Sequence, residues 1–114
     1  MGGYEVLFYE TSSGECPAQD FLGGLGPRVE GKVARWLDLL EREGPNLPRP
    51  YADVVRGKLR ELRVGFGGMH YRFLYFFQGN QIVVTHGFVK KTAAIPENEI
   101  ARAEWLMADF YRRR

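Results

Sequence analysis

The sequence predicts a single α+β domain spanning residues 1–114, a small and mostly antiparallel sheet with helices on one face, in the order β-α-α-β-β-β-α. Three observations lead there. A chain of 114 residues buries roughly two-thirds of its unfolded surface in one core and is too short for a second. Eight Phe, six Tyr and two Trp supply the bulky apolar surface of a sheet packed under helices, which a disordered tail lacks. Finally, three strand-like runs follow one another in the second half, with amphipathic helical patterns before and after them.

The elements follow in order. GYEVLFYE mixes aromatic and β-branched residues and ends in the turn-rich TSSGE, so it reads as the first strand. Pro17 suits the first position of a short helix, CPAQDFLGGL, which Gly23 and Gly24 break. Val29, Val33, Trp36, Leu37 and Leu40 repeat along one face of a second helix, with Pro27 near its start and Gly44-Pro45 as its stop. Residues 45–57, PNLPRPYADVVRG, hold three prolines and read as an irregular crossing loop. KLRELRVGF, MHYRFLYFF and NQIVVTHGFV then form a meander, joined by glycine-rich turns of the kind that close antiparallel hairpins. Pro96 opens the last helix, with Ile100, Ala103, Met107 and Phe110 on one face and Glu97 and Glu99 complementing the dipole at its start.

Composition excludes several functions. A lone cysteine, Cys16, forms no internal disulfide, and no C-x-x-C or Cys/His spacing offers a zinc site. No signal-peptide core appears near Met1, and no apolar run reaches the roughly twenty residues a membrane helix needs. The expectation is a cytosolic protein with no metal and no cofactor.

Charge is distributed unevenly. Residues 1–53 carry five basic and nine acidic side chains, and residues 96–114 carry four of each. Between them stand seven cations, Arg56, Lys58, Arg60, Arg63, Arg72, Lys90 and Lys91, against the single acid Glu61. Strand alternation puts Glu61 and Arg63 on one face, with Leu62 and Val64 toward the helices. Arg72, inside MHYRFLYFF, needs a partner in a central strand, and Glu61 is the candidate. His86, Lys90 and Lys91 close the next strand, so cations from three neighbouring strands are expected to converge on the free face.

Such a cluster suits a phosphodiester. Arginine grips phosphate oxygens through a planar fork, lysine acts as a mobile point charge, and both stabilise negative charge growing in a transition state. In RNA the ribose 2'-hydroxyl can serve as nucleophile, so the protein need only move protons and hold the phosphoryl group. The candidate catalytic residues are Glu61, Arg63, Arg72, His86, Lys90 and Lys91, with Glu61 or His86 as base and Lys90, Lys91 or His86 at the leaving group. Arg56, Lys58 and Arg60, with Lys90 and Lys91, are the candidate RNA-binding residues. Arg72 also has a structural reading, paired with Glu61, and the two roles can coexist. GFGG, residues 65–68, joins two strands and reads as a hairpin. Trp36 reads as core, whereas Trp105 lies off the main helical stripe.

RGKLRELRV, YRFLYFF and HGFVKKTAAIPENEI together resemble the HigB-type branch of the RelE/ParE toxin superfamily, including its phage-derived members. The resemblance covers about residues 54–104 and rests on Glu61, Leu62 and Arg63 in ELR, Tyr71 and Arg72 in YR, and Gly87, Phe88, Lys90 and Lys91 in GFVKK. It implies a mostly antiparallel sheet, a ribosome-dependent mRNA endoribonuclease (an mRNA interferase), and neutralisation by a helix-turn-helix antitoxin. Leu59 and Glu61 stand where RelE-like toxins carry lysines. The ParE branch shares the fold and poisons gyrase by binding, so a binding-only gyrase inhibitor or phage-derived adaptor stays open beside the nuclease.

Overall fold

The computed structural model describes residues 3–114. Five strands, β1 (Glu5–Phe8), β2 (Ala52–Arg56), β3 (Leu59–Phe66), β4 (Met69–Gln78) and β5 (Gln81–Val89), form one sheet in the order β1-β5-β4-β3-β2. β1 runs parallel to β5, and the other neighbours are antiparallel. Helices α1 (Pro17–Gly23) and α2 (Pro27–Glu43) precede β2, and α3 (Glu97–Arg112) follows β5. The α+β class and mostly antiparallel sheet are as expected. No helix is long and apolar enough to cross a membrane among the described residues.

Two details differ from expectation. The proline-rich stretch is not wholly a loop, because its second half, ADVVR, pairs with β3 as the edge strand β2 and makes the order β-α-α-β-β-β-β-α. The prolines stop at Pro50, and edge pairing needs only a short extended run beyond them. Helices also cover both faces of the sheet, not one. Leu62, Val64, Phe73, Tyr75, Ile82 and Val84 pack with Val29, Val33 and Leu40 of α2. The residues of opposite parity, Leu59, Leu74, Phe76, Val83 and Phe88, pack with Ala103 and Leu106 of α3. A strand such as YRFLYFF is apolar at both parities, and burying only one side would leave Leu74 and Phe76 in water.

Glycines fix two close approaches. A Cβ on Gly87 would stand 2.6 Å from the Phe21 ring and 2.7 Å from the Phe73 ring, so this position lets α1 lie directly on β5. Gly44, at φ 55°, ends α2 where a Cβ would run into the Tyr4 ring. The β3–β4 hairpin closes through Gly67 and Gly68, both at positive φ, as a tight two-residue turn demands.

One irregularity decides which side chains meet. The β4–β5 register shifts between Leu74 and Tyr75: Leu74 faces His86, while Tyr75 faces Val84. Thr85 is the extra residue, and the bulge moves His86 and Phe88 to the α3 side of the sheet.

Candidate functional site

α3 covers only part of its face. Where it stops, β3 and β4 place Arg63 and Arg72 directly opposite each other in register. Like charges so paired are destabilising unless neutralised. Glu61 performs that role for both. Its Oε1 accepts from Arg72 Nε at 2.9 Å, and its Oε2 accepts from Arg63 Nε and Nη2 at 3.2 and 3.0 Å. Asp53 of β2 adds a second acceptor to Arg63 Nη2 at 3.3 Å and also pairs with Arg49 at 3.3 Å. The result is a chain of alternating charge, Arg72, Glu61, Arg63, Asp53, Arg49. Its inner end is the drier one, since the Glu61 side chain is 7% exposed and Arg72 11%, against 31% for Arg63. Burial pushes the Arg72 guanidinium down from its ordinary pKa, and the nearby Arg63 charge adds to this while Glu61 opposes it. An arginine nevertheless stays charged in a protein.

Three solvent-open hollows share Arg72. The first, about 530 Å³, lies between the β3–β4 turn and the end of β5 and is lined by Met69, His70, Arg72, Lys90 and Lys91. The second, about 340 Å³, is lined by Asp53, Glu61, Arg63, Arg72, Lys90 and Ile100. The third, about 360 Å³, has an aromatic wall of Trp36 and Tyr51 facing Arg63, His70 and Arg72. Those two rings pack at 5.7 Å, and Lys32 sits 4.9 Å above the indole. Lys90 folds the segment after β5 over the site, its Nζ donating to the carbonyls of Thr92 and Ala93 at 2.8 and 3.0 Å. Lys91 is exposed.

Of the residues singled out from sequence, Glu61, Arg63, Arg72, Lys90 and Lys91 are brought together. His86 is not. It lies on the same face but beneath α3, fully buried, with its Nε2 2.9 Å from Glu99 Oε1 and its Nδ1 3.2 Å from Thr85 Oγ1. Burial holds its pKa below the ordinary histidine value and the charge of Arg102 adds to that, while the Glu99 hydrogen bond and charge oppose it. Arg56, Lys58 and Arg60 are also not brought there. Arg56 is bound by Glu97 and Glu104 of α3. Lys58 sits 5.0 Å above the Tyr111 ring. Arg60, one residue out of phase with Arg63, points to the opposite face and lies 5.6 Å from the Phe77 ring.

His70, Asp53, Arg49 and Tyr51 were not among the expected site residues, and Trp36, expected in the core, is only partly buried there and lines the third hollow beside Tyr51. His70 carried a readable signal, because it precedes Arg72 by two residues in one strand and so shares its face. Asp53 and Arg49 lay in the stretch read as a loop.

These features define an α+β protein whose sheet ends in a solvent-open, arginine- and lysine-lined hollow organised by a buried carboxylate. The chain belongs to the family described as Phage derived protein Gp49-like (DUF891), whose model matches residues 20–108 and so spans β2 to β5, every strand that builds the site. No curated protein matches the sequence.

Proposed function

We propose that the protein is the toxin of a type II toxin-antitoxin pair, and that its cationic hollow cuts mRNA on the ribosome by metal-independent attack of the ribose 2'-hydroxyl. Family membership supports the first part, since Gp49-like proteins are associated with such toxins. The observation that carries the second is the convergence of Arg63, Arg72, Lys90 and Lys91 on connected hollows. Glu61 occupies Arg72 Nε, and the Tyr71 carbonyl occupies Nη1 at 3.3 Å. Neither bond uses Nη2, which remains for a phosphoryl oxygen. A guanidinium already aimed by a buried carboxylate reorganises little as charge grows on phosphorus, and this is the main source of its catalytic value. Arg63 assists from the opposite strand, and Lys91 reaches the leaving 5'-oxygen. The partners on this reading are mRNA, the ribosome and a helix-turn-helix antitoxin, all in the cytoplasm.

The test adds purified protein to a translation extract and maps mRNA 5'-ends. Wild type creates new ends, and Arg72→Ala lowers their rate of appearance by about 100-fold or more, as loss of a transition-state donor does. Intact mRNA together with blocked gyrase would replace the nuclease by a binding-only inhibitor.

A further inference from the structure

We infer that His70 is the proton-transfer group of this site, its imidazole taking the proton from the attacking 2'-hydroxyl; the inference rests on the nuclease reading above. The chain has two histidines, and His86 is sealed between β5 and α3 with Glu99 on its Nε2. His70 is exposed. It stands on β4 two residues before Arg72, on the same face and roughly 7 Å along the strand. That separation lets one ring meet the ribose while the guanidinium holds the adjoining phosphate.

The surroundings leave the ring room. His70 pairs in register with Gly65, where even a Cβ would find its nearest heavy atom, the Met69 carbonyl oxygen, 3.9 Å away. The His70 backbone is fixed, because its carbonyl accepts from the Lys90 amide at 2.8 Å. This bond ties the imidazole strand to the lysine segment across the first hollow. The charged groups sharing the two hollows with the ring are Arg63 from β3, Arg72 from β4, and Lys90 and Lys91 from the segment after β5. All are cations, as is Lys32 of α2, which donates to the Gly65 carbonyl, and among the described residues no carboxylate lines either hollow.

In the step, a neutral imidazole nitrogen takes the 2'-hydroxyl proton as the O2'–P bond forms. The P–O5' bond breaks, its electron pair stays on O5', and that oxygen takes a proton from the Lys91 ammonium. The products are a 2',3'-cyclic phosphate and a 5'-hydroxyl. Proton exchange with water then restores both side chains.

The experiment measures single-turnover cleavage of a short mRNA on programmed ribosomes, across pH, for wild type, His70→Ala and Arg72→Ala. His70→Ala should cut about 100-fold more slowly or worse, within the range that general bases supply. It should also lose the ascending limb of the pH profile, and added imidazole should restore part of the rate through the space opposite Gly65. Its thermal midpoint should match wild type, since the ring is exposed. If His70→Ala cuts at the wild-type rate with the wild-type profile while Arg72→Ala does not cut, the histidine assignment is wrong and the nuclease stands. If wild type makes no cuts, both fall together.

Discussion

Arg72 and Phe76 project from the same side of β4, four residues apart, yet one borders open hollows and the other is sealed beneath α3. The boundary is the start of α3, where Ile100 lines the second hollow and Glu99 already reaches down to His86. On the covered half, polar groups are consumed by structure: His86 is held between Thr85 and Glu99, and Thr85 Oγ1 donates to the Leu74 carbonyl at 3.1 Å. On the open half, each arginine has a carboxylate on one side and water on the other. A guanidinium in that position is stable enough to keep and solvated enough to exchange its water for phosphate. One sheet face thus serves stability at one end and, on the proposed reading, recognition at the other, and the helix start draws the line.

The largest effect should come from Glu61, where the open half is most structural. Glu61→Gln keeps the side-chain shape but removes the charge shared by Arg63 and Arg72. Breaking a buried pair costs about 3–5 kcal/mol. Arg63 is about a third exposed and is partly screened by water, so a loss of about 2 kcal/mol in urea unfolding is expected. RNA affinity should rise at low salt and fall more steeply with added salt, because two guanidiniums become available to phosphates. Unchanged stability and salt dependence would mean that Glu61 does not organise the arginines.

The covered half should speak through pH. Burial lowers the folded-state pKa of His86 below its unfolded value near 6.5. Between the two values the unfolded chain binds the extra proton, so stability falls as pH drops below about 6.5 and is level above it. The slope is at most about 1.4 kcal/mol per pH unit for one proton. The depressed carboxyls Glu97 and Asp109 lose their contributions only at lower pH, so the interval from pH 5 to 7 reports the imidazole. His86→Gln should flatten urea midpoints there without altering mRNA cleavage at pH 7. An unchanged slope would show that the buried ring does not titrate on unfolding.

How much of this was legible follows from the range of each signal. The alternation in RELRV placed Leu62 and Val64 toward the helices and Glu61 with Arg63, and the Glu61–Arg72 pair was expected from the cost of a lone mid-strand charge. Both are local or nearly so. The double burial of the sheet was also written in YRFLYFF, where Leu74 and Phe76 alternate with Phe73 and Tyr75 and all are apolar. β2 was obscured because ADVVR is short and follows three prolines. His86 shares the Arg72 face as expected, held there by the bulge at Thr85, but its burial was not readable, because it depends on where α3 docks and Glu99 reaches the ring. Shifting that register by one residue would move His86 to the α1 and α2 side. The uneven charge along the chain singled out the segment that lines the hollows but not which of its side chains meet there, since Arg60 and Arg63 differ in parity.

The smallest effect should come from Arg56, which tests whether the recognition surface ends where α3 begins. Its Nη2 meets Glu97 at 2.6 Å and Glu104 at 3.1 Å, and all three side chains are well exposed. The hydrogen bonds it donates to Glu104, and then to Glu97, push its pKa above the ordinary arginine value. Glu97 in turn is held below the usual glutamate value, mainly by the Arg56 hydrogen bond. An exposed network of this kind contributes little to stability and fades with salt. Arg56→Ala should therefore leave the cleavage rate and the salt slope of RNA binding unchanged, and lower the thermal midpoint only slightly, a difference that closes in 1 M salt, where the Debye length is about 3 Å. Should the variant instead bind RNA more weakly with a shallower salt slope, Arg56 would be exchanging its carboxylates for phosphates. The cationic surface would then run on past the hollows along β2, and the start of α3 would no longer mark its edge.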